Sequence, residues 1–235
     1  MQSNVPAQKQ VQVYFSNIVW HTLTGAHSKY ATGSEDALRY SKGFSPIVGF
    51  ADTARPNFQA LTSFCGRDEH FYCVDWTGSP PPNWQIEGET VMFKMTWNQS
   101  LPEEEAAPAA IPLGPAHAKQ ALELTSLTRP GPFGERTIEL GEYFGQFDKG
   151  RLIAMAGERM QAGIMREISG VCVHPDYQGQ GLARQLVYKL LQRETRRGEM
   201  PFLHVSRENA GAYALYESMG FRVAHESVVR VISQK

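Results

Sequence analysis

The chain of 235 residues contains no apolar run of roughly 18 residues, the length a membrane-crossing helix needs. Its first residues, Met-Gln-Ser-Asn-Val-Pro-Ala-Gln-Lys-Gln, lack the apolar core of a secretory signal. Cysteine is scarce: Cys65, Cys73 and Cys172 are odd in number and not closely paired. That excludes a disulfide scaffold and points to a reducing, cytoplasmic setting. Charge of one sign is missing too, with 23 Lys and Arg against 24 Asp and Glu. Residues 1–105 carry 7 basic and 11 acidic residues, and residues 106–235 carry 16 and 13. The second part suits an anionic ligand but has no dense basic face, so nucleic acid is not expected as a partner. His70 with Cys65 and Cys73 does not make a zinc site, which wants four ligands at tighter spacing. Buried thiols are the better account, and no metal is expected. No internal repeat is strong enough to decide how the N-terminal half relates to the rest.

What is present centres on Glu167–Arg197. Ile168, Val171 and Val173 are β-branched and suit a half-buried strand, which Pro175 ends. Gly179 and Gly181 allow a tight loop and close approach of a ligand to the backbone. A helix comes next, with Leu182, Leu186, Val187, Leu190 and Leu191 on one face. Its basic residues Lys189, Arg193, Arg196 and Arg197 gather toward the C-terminal end, and Gly198 stops it. The free amides at its start form an anion site of the kind that takes phosphate. Two glycines alone would equally serve a plain turn.

Gln178-Gly179-Gln180-Gly181-Leu182-Ala183 fits the Gln/Arg-x-x-Gly-x-Gly/Ala pattern of the GNAT superfamily, the acetyl-CoA-dependent N-acetyltransferases. Asn209-Ala210, Leu215-Tyr216 and Gly220-Phe221 resemble that family's late signature, in the right order. The flavour is FR47-like, and the resemblance covers about residues 115–232. It implies an α/β (α+β) GNAT fold: a mixed, twisted sheet with helices on both faces.

Along the chain, the first ten residues read as frayed. Helices are expected over 16–30 and 56–64, and strands over 44–50, 70–76 and 84–97. This region carries no motif tied to chemistry and reads either as a degenerate copy of the C-terminal fold or as a lid packed on it. Residues 101–115 hold four prolines and three successive glutamates, a linker composition. They set the expected boundary between an N-terminal α/β region, 1–105, and a GNAT domain, 106–235. The second part reads as a helix over 115–127, a helical turn over 137–141, and strands over 143–148, 151–160 and 165–174. Then come the glycine loop and its helix, a strand over 202–205, a helix over 209–219 and a last strand over 221–231.

Acetyl transfer must hold the thioester, deprotonate the amine, stabilise an oxyanion and release a thiolate. The resemblance implies that Val171, Cys172 and Val173 offer backbone groups to the pantetheine arm, where two central strands splay. It also implies that Gln178, Gly179, Gln180, Gly181, Leu182, Ala183 and Arg184 hold the pyrophosphate, and that Asn209 bonds the cofactor arm. Asn209 reads equally as a helix cap. Cys172 reads as packing, without an activating partner. Glu167 is the expected base, its pKa raised in an apolar cleft, with Glu158 and Glu139 as rivals and ordered water, as the resemblance implies, as the alternative to any dedicated base. Tyr216 is the expected proton donor to sulfur, with Tyr213 as competitor. His204 reads as a satisfied strand histidine or as cleft lining. Acceptor choice falls to residues 115–141, with Arg129, Glu135 and Glu139 as candidates, and to whatever the N-terminal half adds. The acceptor is a small-molecule or peptide amine. Oligomeric state, a dimer included, stays open. The rival readings are a non-catalytic acyl-CoA sensor or interaction module and a transferase for a longer acyl group.

Overall fold

The computed structural model describes residues 5–101 and 105–235, and side chains from residue 11 onward. Helix α1 (Val5–Ser16) leads into α2 (Ile18–Thr24), so much of the segment expected to fray is helical; residues 1–4 lie outside the description. Next come β1 (Ala31–Gly33), β2 (Ala37–Tyr40), β3 (Ile47–Phe50), α3 (Phe58–Thr62), β4 (His70–Val74) and β5 (Trp84–Thr96). After residue 105 come β6 (Ile111–Leu113), α4 (Ala118–Thr128), β7 (Tyr143–Asp148), β8 (Arg151–Ala162) and β9 (Met165–Val173). The chain ends with α5 (Leu182–Arg196), β10 (Met200–Ser206), α6 (Ala210–Ser218) and β11 (Arg222–Gln234).

The eleven strands among the described residues form one sheet, in the order β1-β2-β3-β4-β11-β5-β10-β9-β8-β7-β6. The order is nearly a palindrome. β1, β2 and β3 are antiparallel neighbours, and β3 runs parallel to β4 across α3. β7, β8 and β9 repeat this, and β9 runs parallel to β10 across α5. The last strand of each half is exchanged: β4 pairs with β11, and β10 pairs with β5. β5 and β11 then pair with each other along their length, from Arg222↔Thr96 to Gln234↔Trp84. The N-terminal half therefore has the strand plan of a reduced copy of the C-terminal half. The boundary expected near residues 106–115 does not separate two sheets, because β5 lies before it and between β10 and β11.

The proline-rich segment is also more than a linker. Pro112 sits in β6, an edge strand beside β7, where its missing N–H does no harm. Ala107 and Ala110 are buried with α5, Gln192 Oε1 accepts from the Ala106 amide at 3.0 Å, and Lys189 Nζ donates to Glu105 Oε1 at 3.0 Å.

Helices cover both faces. On one, Leu186, Val187, Leu190 and Leu191 of α5 pack with Leu203 and Val205 of β10 and Tyr216 of α6. Each such aliphatic chain contributes about 1.5–3 kcal/mol on burial. On the other face, Phe15, Ile18 and Leu23 meet Met160 and Phe202, and α4 packs Ala121 and Leu124 against Met155 and Cys172. Successive residues of β10 thus point to opposite layers, as a pleated strand requires.

Candidate functional site

β9 and β10 pair only from Met165↔Met200 to Ile168↔Leu203. Beyond that, β10 stays with β5, through His204↔Lys94 and Ser206↔Met92, while β9 stays with β8. The two central strands part. A local cause lies in β9. Between Gly157↔Ser169 and Met155↔Cys172 it carries one extra residue, and Gly170 there has φ +62°. That is a bulge, which bends the strand and disrupts the ladder. Residues 169–173 are left with an edge unpaired toward β10, about 16 Å of strand.

A cavity of about 430 Å³ occupies the gap. Its walls include Ser169–Val173, His204, Asn209 and Tyr216, the turn Arg129–Pro132 after α4, and Tyr72, Thr90 and Met92 from the N-terminal half. Both halves of the chain therefore build it. Arg129 reaches the cavity, whereas Glu139 pairs with Arg136 at 2.8 Å and, like Glu135, is not part of the lining.

The glycine loop lies at the outer end of the open edge. Gly179 and Gly181 both have φ +77°, and an added Cβ would meet nothing closer than 4.0 Å. Backbone conformation, not crowding, requires glycine here. Gly181 caps α5 without a side-chain bond, and the first turn has no acidic residue, so the amides there are uncapped. Gln178, Gly179, Gln180 and Gly181 are exposed, and Leu182 and Ala183 half-buried. Arg184 donates through Nη2 to Ser218 Oγ of α6 at 2.7 Å.

The expected base is placed differently from the sequence reading. Glu167 is 1% exposed, lies beneath the cavity wall, and receives Arg159 Nε at 2.9 Å, Arg159 Nη2 at 2.6 Å and His204 Nδ1 at 2.8 Å. Burial alone would raise its pKa, but the Arg159 guanidinium and His204 outweigh it and hold the carboxyl down at about 2. The expected upward shift is overturned: Glu167 is a committed anion. Glu158 is no substitute, since it pairs with Arg197 and Arg166 and accepts from the Glu142 amide.

Tyr216 lines the cavity, 7% exposed, and burial pushes its phenol well above the ordinary range. Tyr213, its competitor, packs its ring at a tilt against Phe93 and donates toward Glu217 at 3.4 Å. Cys172 lines the cavity as well, with its thiol pushed up to about 12 by burial. Asn209 caps α6 through Oδ1, accepting from the Ala212 amide at 3.0 Å, and also borders the cavity.

This arrangement agrees with the comparisons. A model of the FR47-like protein family matches residues 143–231. A solved structure from Novosphingobium aromaticivorans DSM 12444, of an acetyltransferase assigned to the GNAT family, is 30% identical. It covers 94% of this chain and 98% of its own length, with a TM-score of 0.85.

The chain belongs to the GNAT family.

Among curated relatives of this GNAT chain, the [ribosomal protein bS18]-alanine N-acetyltransferase of Escherichia coli K12 is 36% identical over 98 residues. That match spans 40% of the chain and 66% of the relative's length. N-alpha-acetyltransferase RimI of Mycobacterium tuberculosis is 41% identical over 56 residues, 24% of the chain and 34% of its own length. A GCN5-related N-acetyltransferase-like protein of Streptococcus suis, 14% identical with a TM-score of 0.59 over 97% of the chain and 99% of its own, shares the fold.

Sequence reasoning gave no chemical role to two residues of this GNAT site. Arg159 and His204 close a buried cluster on Glu167, and nothing in their local sequence marks them. Alternation along β8 and β10 puts both on a sheet face, but only the sheet order brings them together.

Proposed function

We propose that the chain transfers an acetyl group from acetyl-CoA to a primary amine by direct attack within a ternary complex. The observation that carries this is the unpaired edge of residues 169–173, which leads from the uncapped start of α5 to the bulge at Gly170. An extended arm anchored by its pyrophosphate on residues 178–184 fits along that edge as an added strand. Val171, Cys172 and Val173 offer it main-chain groups there, and Asn209 flanks it from α6. Acetyl-CoA, when bound, would supply the activated acyl carbon.

The remaining roles fall to side chains at that end. Tyr216 lines the cavity and, like any phenol, carries its proton at neutral pH, so it has one to donate to the departing sulfur. Cys172 keeps its proton too, which argues against an acyl-enzyme and for direct attack. Val171, Val173 and Tyr216 pack with the α5–α6 layer and Tyr72 with the layer on the other face, so the cofactor comes from the α5–α6 side and the acceptor from the side that Tyr72, Thr90 and Met92 line. The N-terminal half thus shapes acceptor choice. The named activity of the E. coli relative makes a peptide with an N-terminal alanine the first acceptor to try. The three free thiols support a reducing, cytoplasmic setting.

Calorimetry with acetyl-CoA tests the reading: micromolar binding is expected, and its absence would overturn it. Binding without turnover of any amine in a panel would instead identify an acyl-CoA sensor.

A further inference from the structure

Acetyl transfer needs a group that takes the amine's proton, and Glu167 is not free to do so. Its neighbour is. His204 is the first residue of β10 past the point where β9 departs, and it borders the cavity. Its side chain is 5% exposed; Nδ1 meets Glu167 Oε1 at 2.8 Å, and Nε2 has no hydrogen-bond partner among the described residues. A histidine that served only to brace the strand would have both nitrogens satisfied, because an unpaired buried acceptor costs about 1–3 kcal/mol.

Resting on the acetyl-transfer reading above, we infer that His204 is the proton acceptor of the reaction and that Glu167 is its positioning residue. Ionised Glu167 accepts only, so Nδ1 carries the hydrogen and Nε2 presents its lone pair. Arg159, bidentate on the same carboxylate, fixes Glu167 in turn. The charged groups around the imidazole are Glu167 on β9, Arg159 on β8 and Lys94 across the ladder on β5, itself paired with Asp75 at 2.6 Å. Burial, then the two cations, lower the imidazole pKa against the pull of Glu167. The ring is therefore neutral near pH 7 and able to accept.

An acceptor that arrives as an ammonium loses two protons. His204 Nε2 takes the first, and the freed lone pair forms the N–C bond. As the C–S bond breaks, Tyr216 gives its proton to the sulfur, and the second proton from the nitrogen replaces it. Net, one proton ends on the thiol and one passes through His204 to solvent.

His204→Asn is the informative variant, because an asparagine amide can still donate to Glu167 while offering no base in place of Nε2. With acetyl-CoA and an alanine-initiated peptide, kcat should fall about 100-fold near pH 7, with acetyl-CoA affinity by calorimetry unchanged. The deficit should shrink as pH rises past the α-amino pKa of about 8, where the amine arrives free. A deficit that stays constant with pH, or no deficit, overturns the assignment. Nitrogen-15 NMR of the wild-type histidines provides a second arm that needs no acceptor. A bare Nε2 with a protonated Nδ1 at pH 7 supports the proposal, and an Nε2–H tautomer or an imidazolium overturns it. If the wild type does not bind acetyl-CoA, the transferase reading fails, and His204 loses its role with it. If acetyl-CoA binds and His204→Asn behaves like wild type, only the His204 assignment fails.

Discussion

Glu194 offers a sharp test of how burial sets stability in this fold. It sits on α5 with 0% exposure, and neither carboxyl oxygen has a partner among the described residues. Arg166 and Arg197 are close but engaged elsewhere, with Glu199 and with Glu142 and Glu158. Burial, with the negative charge of Glu158 behind it, raises the Glu194 pKa well above the usual range. The folded protein then holds a proton that the unfolded chain releases above a pKa of about 4.3. Stability from this group is full below that value and is lost as pH rises toward the folded pKa. Glu194→Met removes both the unpaired oxygens and the titration. Leaving one such atom unpaired costs about 1–3 kcal/mol. The variant should therefore gain about 2 kcal/mol at pH 8, roughly 4–8 °C in Tm for a chain of this size. At about pH 4.5 the gain should be smaller, since little of the proton linkage remains there. Thermal melts of both proteins across that range read the difference directly. A gain that does not grow with pH, or a less stable variant at pH 8, would refute the reasoning.

Tyr216→Phe removes a hydroxyl at the cavity wall and should lower kcat about 100-fold with Tm and acetyl-CoA affinity unchanged, whereas Tyr213→Phe should leave kcat intact; equal effects would place the proton donor elsewhere. Gly170→Ala forces a side chain into φ +62° and brings its Cβ to 3.3 Å from the Tyr143 ring. It should cost about 1–2 kcal/mol, measurable in urea melts, and weaken acetyl-CoA binding by calorimetry; unaltered binding would mean that the bulge does not shape the open edge. Lys94→Met strands Asp75 and strips the Phe15 carbonyl of its donor; a loss of about 3 kcal/mol in urea melts is expected, and no loss would show that water takes the lysine's place.

The C-terminal elements were legible because local patterns set them. β7 spans the 143–148 expected from the sequence, and α5 arises from its leucine face. The glycines at 179 and 181 were legible for the same reason: a positive φ leaves few other residues. β1 and β2 were missed, being only three and four residues long, too short to show a period. β5 was legible as a strand, but its sequence cannot say that β10 and β11 flank it. Glu167 was read as the base on the expectation of an apolar cleft. Its ionisation state depends on Arg159, a partner on the neighbouring strand whose identity the register decides.

The crossed ends of the sheet carry a further consequence. Because β5 completes one half and β11 the other, neither half owns a finished sheet, and the two cannot swing apart as hinged lobes without breaking long ladders. Access to the cavity then falls to loops, such as the Arg129–Pro132 turn, and not to lobe opening. A polypeptide starting at residue 106 would leave bare edges on both β10 and β11, an invitation to aggregate. Supplying residues 1–105 as a separate chain should restore solubility by handing back the missing strand.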